Sequence, residues 1–167
     1  MQRPSEPAIG HWVPVVASVA STARLMQTRW PSCVEDEGAA VSGYVLAPDE
    51  GDTYDWRGAR VLIKASGAVT AGQLGVMESI YPPGLSVPTH IHPGEDEMLY
   101  VLDGELNGFC DEDRWTAVTG SFVFVPRDRP HSFVVVGDKP ARAIVITGPA
   151  VLDGQVAATG TPVGRQS

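Results

Sequence analysis

The sequence has 167 residues, of which 43% are hydrophobic and 19% charged, so it suits one globular domain with a real core rather than a disordered chain. The formal net charge of −8 argues against nucleic-acid binding, because no basic face can form to neutralise phosphates. No apolar run reaches the roughly 18 residues of a transmembrane helix, so we expect no membrane contact.

Residues 1–41 lack the alternation of a strand, and Ala17–Trp30 is compatible with a short helix. This N-terminal extension is either an arm that packs on the rest of the domain or on a second subunit, or a poorly ordered leader. The apolar stretch Trp12–Ala23 resembles a secretory signal, but Pro14 interrupts it, and we expect a cytoplasmic protein. We interpret His11 as an ordinary packed or surface residue.

Short apolar runs follow at intervals of about ten residues, separated by turns rich in glycine, proline and aspartate. The runs are Tyr44–Ala47, Arg60–Ala65, Gln73–Tyr81, Glu97–Leu102, Glu105–Cys110, Ser121–Val125, Ser132–Val136 and Ala141–Thr147. This pattern predicts an all-β domain, a barrel or jelly roll, over residues 42–150. Asp103 and Gly104 form the clearest predicted hairpin turn, because both tolerate positive φ. Residues 151–167 are expected to fray as a C-terminal tail.

Three of the four histidines lie in two segments that suggest a metal site. His90 and His92 are two residues apart, and in an extended segment such residues point to the same face, so both imidazoles can aim at one point. Glu97 begins an apolar strand after the next turn and can return beside this pair. His131 opens another strand after a proline-rich turn. We therefore predict that His90, His92, Glu97 and His131 bind one metal ion.

Imidazole and carboxylate ligands together suit a divalent ion of Fe, Mn, Ni, Co, Cu or Zn, whereas a structural zinc site would more often use cysteines. Cys33 and Cys110 are instead expected to be free thiols in a reducing compartment. Three neutral histidines and one carboxylate leave a net charge near +1 on a dication, which favours an anionic ligand. Asp96 is the alternative carboxylate ligand, and Glu95 is interpreted as part of a solvated loop.

These residues resemble the two sequence motifs of the cupin superfamily. The first, G-x5-H-x-H-x(3,4)-E-x6-G, is complete over residues 84–104. The second, G-x5-P-x-G-x2-H-x3-N, is matched by Gly120, Pro126 and His131. Asp128 replaces its second glycine and Val135 its asparagine; aspartate can take the turn conformation of glycine, and Val135 is not at a ligand position. The resemblance covers about residues 42–150 and implies a cupin-type β-barrel.

The segment Val61–Leu106 is also similar to small bacterial cupins related to quercetin 2,3-dioxygenase. This resemblance implies oxygenation of an enol or phenol chelated to the metal, with iron as the favoured ion and Glu97 as the catalytic base for the substrate's hydroxyl proton. A non-redox isomerase, cyclase or epimerase would use the same four ligands, and a non-catalytic binding protein would use the metal only as an anchor. Cupins often pair through edge strands or swapped arms, so a homodimer is a further prediction.

Several large side chains on the predicted strands are candidates for the interior of the barrel. They are Met77, Tyr81, Phe122, Phe124 and Phe133. They either line a pocket beside the metal or simply fill the barrel, since an eight-stranded barrel has room for side chains or for one small ligand.

Overall fold

A computed structural model describes residues 42–164. It contains eleven strands and one helix among these residues. They are β1 (Asp52–Trp56), β2 (Ala59–Ala65), β3 (Gly75–Tyr81), β4 (Ser86–His90), β5 (Asp96–Asp103), β6 (Glu105–Cys110), β7 (Asp113–Val118), β8 (Phe122–Val125), β9 (His131–Val135), β10 (Ala141–Gly148), α1 (Leu152–Thr159) and β11 (Thr161–Pro162). No helix in the described part of the chain is long and apolar enough to cross a membrane.

The strands form two antiparallel sheets. The larger has the order β11-β1-β2-β3-β10-β5-β8, and the smaller has the order β4-β9-β6-β7. Because neighbours in space are often distant in sequence, the chain passes repeatedly from one sheet to the other, as in a jelly roll. The prediction of an all-β barrel is confirmed. The N-terminal extension, with His11 and Cys33, lies outside the described residues.

One buried apolar cluster joins the inner faces of the two sheets. In β5, Leu99 and Val101 point into it while Tyr100 points outward, because successive strand residues face opposite sides. Burying a side chain of this size contributes about 1.5–3 kcal/mol, so the cluster determines which face of each strand is inside. The side chains of β5 therefore alternate between the core and the surface.

The same alternation makes the prediction for two aromatic residues wrong. Phe122 is 59% exposed and Phe124 is 53% exposed, so they neither line a pocket nor fill the barrel. Between and after them, Val123 and Val125 are buried. A strand cannot bury both sets against one core, and β8 places its valines inside.

Asp103 and Gly104 do not form a hairpin, which corrects the prediction. β5 pairs with β10 and β8, whereas β6 pairs with β7 and β9, so the two residues form a corner between the sheets. Gly104 has φ +84°, and a Cβ there would lie 2.7 Å from the Cα of Ala141. Glycine is needed at position 104 because the backbone at this corner passes close to that of Ala141.

The C-terminal segment also differs from the prediction, because the described part of it is structured. Helix α1 buries Leu152 and Val156, four residues apart on one face, in the main core. Strand β11 then pairs with β1 and forms one edge of the larger sheet. The expectation of fraying is wrong for this segment, since the two apolar side chains gain a core that the local sequence does not reveal.

Candidate metal centre

The four predicted ligands converge at one end of the barrel. His90 ends β4, His92 follows in the loop, Glu97 lies at the start of β5 and His131 begins β9. One nitrogen or carboxylate oxygen from each lies within 4.8 Å of all the others. His92, Glu97 and His131 are buried, and His90 is half-buried. His90 and His131 lie close together because β4 and β9 pair in a register that places these two residues opposite each other.

The separations between these atoms fit a single ion. Glu97 Oε2 lies 3.1 Å from His131 Nε2 and 3.7 Å from His92 Nε2. His90 Nε2 lies 3.2 Å from His92 Nε2. Ligands held about 2.1 Å from one centre at right angles are about 3.0 Å apart, close to these values. The donor set of imidazole and carboxylate suits a divalent transition metal.

Outer hydrogen bonds orient two of the imidazoles. The Nδ1 of His90 lies 2.8 Å from the carbonyl oxygen of Pro88, and the Nδ1 of His131 lies 2.9 Å from that of Arg129. Each Nδ1–H therefore donates to a carbonyl, which leaves the lone pair of Nε2 directed at the shared centre. This tautomer allows each ring to bind a metal ion through Nε2.

The surroundings of His90 and His131 shift the pKa values of these two residues in opposite directions. Burial, reinforced by the neighbouring His131 and His92, lowers the pKa of His90 below its ordinary value. Burial acts in the same direction on His131, but the Glu97 carboxylate and the Arg129 carbonyl outweigh it and raise the pKa of His131. Glu97 is thus the negative charge that compensates positive charge in this cluster.

Glu95 is not part of a solvated loop, which corrects the prediction. It is 2% exposed, and its Oε1 accepts hydrogen bonds from the backbone N–H groups of Val151 at 2.8 Å and Leu152 at 2.9 Å. Its Oε2 lies 3.6 Å from His92 Nδ1. Burial raises the pKa of Glu95, but interactions with His92 and the helix amides outweigh it, and the net pKa is lowered. Glu95 connects a candidate ligand to α1.

Asp96, the alternative ligand, lies outside the cluster. Its carboxylate accepts hydrogen bonds from the backbone N–H of Arg127 at 2.8 Å and from the Arg127 guanidinium at 2.7 Å. These bonds lower the pKa of Asp96 to about 2. Because neighbouring strand residues face opposite sides, Glu97 and Asp96 cannot both point inward, and Glu97 is the one that does.

A cavity of about 240 Å³ opens beside the cluster. His90, His92 and Glu97 form one part of its wall. Much of the remaining surface is apolar and includes Met77, Tyr81, Val87, Phe133 and Val145. Met77, Tyr81 and Phe133 therefore line a pocket, as one of the two sequence interpretations stated. Burial raises the pKa of Tyr81 well above its ordinary value, so its hydroxyl stays neutral.

Comparison with known proteins shows which domain family and which fold the chain resembles. Residues 77–147 match the family model described as "Cupin domain". KdgF from Halomonas sp. superposes with a TM-score of 0.59 at 19% identity, covering 68% of this chain and 99% of that chain. This likeness concerns the fold alone. Residues 77–147 therefore match a cupin domain, and the described part of the chain has the cupin fold, as its motifs indicated.

Two curated relatives are more similar in sequence over this region. Quercetin 2,3-dioxygenase of Bacillus subtilis is 28% identical over 90 residues, which cover 54% of this chain and 27% of the relative. The tetracenomycin polyketide synthase protein TcmJ of Streptomyces glaucescens is 32% identical over 89 residues, covering 53% of this chain and 58% of TcmJ. In both cases the chain spans less than two thirds of the relative.

Proposed function

We propose that the protein is a metal-dependent dioxygenase that acts on an enol or phenol. The observation that carries the proposal is the convergence of three imidazole nitrogens and one carboxylate oxygen beside a cavity with a partly apolar wall. His90, His92, Glu97 and His131 would hold one divalent ion, with iron as the favoured metal and Mn, Ni, Co, Cu or Zn as alternatives. A bound ion would supply Lewis-acid and redox chemistry.

Side chains of the site and of the cavity wall have separate roles in the proposed reaction. Glu97 accepts the hydroxyl proton of the substrate, because its carboxylate lies at the boundary between the cluster and the cavity. Met77, Tyr81 and Phe133 exclude water from the same space and contact the apolar body of the substrate. The net charge near +1 of the loaded site favours an enolate or phenolate over a neutral alcohol.

Similarity to quercetin 2,3-dioxygenase supports oxygenation as the reaction. The test is oxygen consumption by the iron-loaded protein with quercetin and 3-hydroxyflavone, compared with the same mixtures under nitrogen. We expect substrate loss coupled to oxygen uptake, and no loss under nitrogen. Substrate loss that is unchanged without oxygen would contradict the proposal.

The second candidate is a non-redox isomerase or cyclase, and the similarity to TcmJ supports it. Polyketides carry several carbonyl groups that enolise, so they can present the same chelating oxygens to the site. The anaerobic experiment separates the two candidates when it includes an enolisable β-diketone. Turnover in neither atmosphere, with retained binding, would instead indicate a non-catalytic ligand-binding cupin.

The ligand assignment has its own test, in which metal is measured by elemental analysis. We expect His92→Ala and Glu97→Ala to lose metal while His11→Ala, the histidine interpreted as ordinary, retains it. Full metal content in both site variants would show that the four-ligand assignment is wrong.

A further inference from the structure

The cavity beside the candidate metal centre is elongated. Strand β4 forms one side, since residues from Leu85 to Pro88 and then His90 line it. A Cβ at Gly58 would lie 3.0 Å from Leu85 Cδ1, so the β1–β2 turn meets the end of β4 opposite His90. Five extended residues span about 16 Å, so the turn and the metal ligands lie at opposite ends.

Arg57 occupies an unfavourable backbone position in that turn. Trp56 pairs with Ala59, so Arg57 and Gly58 form a two-residue hairpin loop, with φ of +50° and +86°. A loop of this kind, with positive φ at both residues, favours Asn, Asp or Gly at its first position rather than a long side chain. Such departures from local preference are concentrated at functional sites.

The side chain of Arg57 is held at the cavity without an anionic partner among residues 42–164. Its guanidinium carbon lies 4.5 Å from the ring centroid of Trp56, and Trp56 Nε1 donates a 2.8 Å hydrogen bond to Thr159 Oγ1 of α1. In contrast, Arg60 of the same hairpin pairs with Asp55 at 3.1 Å. Of the described residues that line the cavity, Arg57 is the one with a permanent positive charge.

We propose that Arg57, supported by Trp56, binds a carboxylate at one end of an elongated, largely apolar ligand. The enol or phenol at the other end of the ligand reaches His90, His92 and Glu97; this part of the inference rests on the proposed function. The planar guanidinium matches a carboxylate with two parallel hydrogen bonds, and stacking on the indole reduces the freedom lost on binding. Tyr81 and Phe133, packed edge to face at 5.2 Å, contact the apolar middle.

The test compares two probes that differ only at the end remote from the metal. They are 3-hydroxyflavone with a 4′-carboxylate and 3-hydroxyflavone with a 4′-carboxamide. Both bind to protein loaded with Zn²⁺, so no oxygenation occurs, and Kd is measured by flavonol fluorescence and by calorimetry. We expect the carboxylate to bind about tenfold more tightly at low salt, with a smaller preference as salt rises, because Arg57 is exposed.

Variants of the hairpin then assign the preference to one side chain. Arg57→Asn keeps a residue that accepts positive φ, so we expect an unchanged or higher Tm together with a preference reduced to less than twofold. Arg57→Lys should retain part of the preference, since the charge remains but the planar fork is lost. Arg60→Gln is the matched control on the same hairpin, and its preference should equal that of the wild type.

The outcomes separate this inference from the proposed function. Equal affinity of wild-type protein for the two probes, or a preference that survives Arg57→Asn, would overturn the inference and leave the oxygenase proposal in place. Binding of neither probe to the Zn²⁺-loaded protein would also overturn it. A preference that depends on Arg57, with no oxygen uptake by the iron-loaded protein, would reject only the oxygenase proposal.

Discussion

At the scale of single residues, Asp128 connects the two turns that carry the histidines. It has φ +63°, its Oδ1 accepts a 3.0 Å hydrogen bond from Gly94 N, and its own N–H donates to the carbonyl of His92 at 3.1 Å. The second cupin motif has glycine at this position, and aspartate meets the same conformational requirement while adding a side-chain acceptor. Asp128 therefore fixes the loop that presents His92.

Replacing Asp128 separates the conformational contribution from the hydrogen bond. We expect Asp128→Ala to lower the free energy of unfolding by about 1–2 kcal/mol, because alanine is strained at positive φ. Asp128→Gly should cost less, since glycine accepts this φ and loses only the bond to Gly94 N. Urea unfolding of both variants measures the difference. Equal losses in the two variants would contradict a conformational role.

The pair of Asp96 and Arg127 gives a prediction about pH. The pKa of Asp96 is lowered to about 2, so the pair stabilises the fold above the ordinary aspartate pKa of about 3.9, and this contribution is lost as the pH falls through 2. We therefore expect the stability difference between the wild type and Asp96→Asn to be constant above about pH 5 and to shrink toward pH 2. Thermal unfolding between pH 2 and 7 checks it, and a constant difference throughout would contradict it.

Residue spacing was sufficient to predict the four clustered side chains but not the environment of Glu95. The histidine pair and Glu97 lie within one turn and strand, and β pairing brings in His131, so local geometry determines most of the cluster. The hydrogen-bond partners of Glu95 at 151 and 152 are 56 and 57 residues away in sequence. Nothing local distinguishes a buried carboxylate with such partners from a solvated one.

At the scale of elements, hydrophobic runs located most of the central strands, and the polar strands were missed. Strands β1 and β7 contain Asp52, Asp55, Asp113 and Arg114, so they lack an apolar run. Strand β4 contains Pro88, which an edge strand tolerates because one side of its backbone is unpaired. The run Tyr44–Ala47 forms no strand. Pairing in the assembled sheet, rather than local preference, defines these elements.

Helix α1 gives a prediction at the same scale, because its first N–H groups bond to Glu95. We expect Glu95→Gln to lower the free energy of unfolding by about 1–3 kcal/mol, since the amide oxygen still accepts the two buried hydrogen bonds but lacks the negative charge that strengthens them. Metal affinity should fall as well, because Glu95 lies beside His92 Nδ1. Hydrogen exchange of residues 152–159 and metal titration measure the two effects.

The matched control for this prediction is Glu112→Gln, since Glu112 is exposed in the turn between β6 and β7. We expect its stability to stay within about 0.5 kcal/mol of the wild type. If Glu95→Gln behaves like this control in both measurements, the carboxylate does not connect the helix to the candidate metal centre.

At the scale of the whole molecule, the cluster joins strands from both sheets. His90 and His131 belong to the smaller sheet and Glu97 to the larger one, so an ion held by them would connect the two. The sequence was sufficient to predict the barrel and the cluster of side chains. The order of strands in each sheet could not be predicted, because it depends on pairings between segments that are distant in the sequence. Pairing into a homodimer, expected through edge strands or the N-terminal extension, stays a prediction.

Because the four candidate ligands come from three strands and a loop, metal binding should stabilise the folded state as a whole. An ion present at 100 times its Kd adds about 2.7 kcal/mol to the free energy of unfolding, since the unfolded chain does not hold the ligands together. For a chain of this size that corresponds to a rise in Tm of about 5–10 °C. Differential scanning calorimetry of metal-free protein, titrated with Fe²⁺ under nitrogen or with Mn²⁺, Ni²⁺, Co²⁺ or Zn²⁺, measures it. His92→Ala should abolish the rise and Arg60→Gln should retain it, because Arg60 pairs with Asp55 away from the cluster. A wild-type Tm that no ion raises, or an equal rise in His92→Ala, would show that these four side chains do not form a metal site.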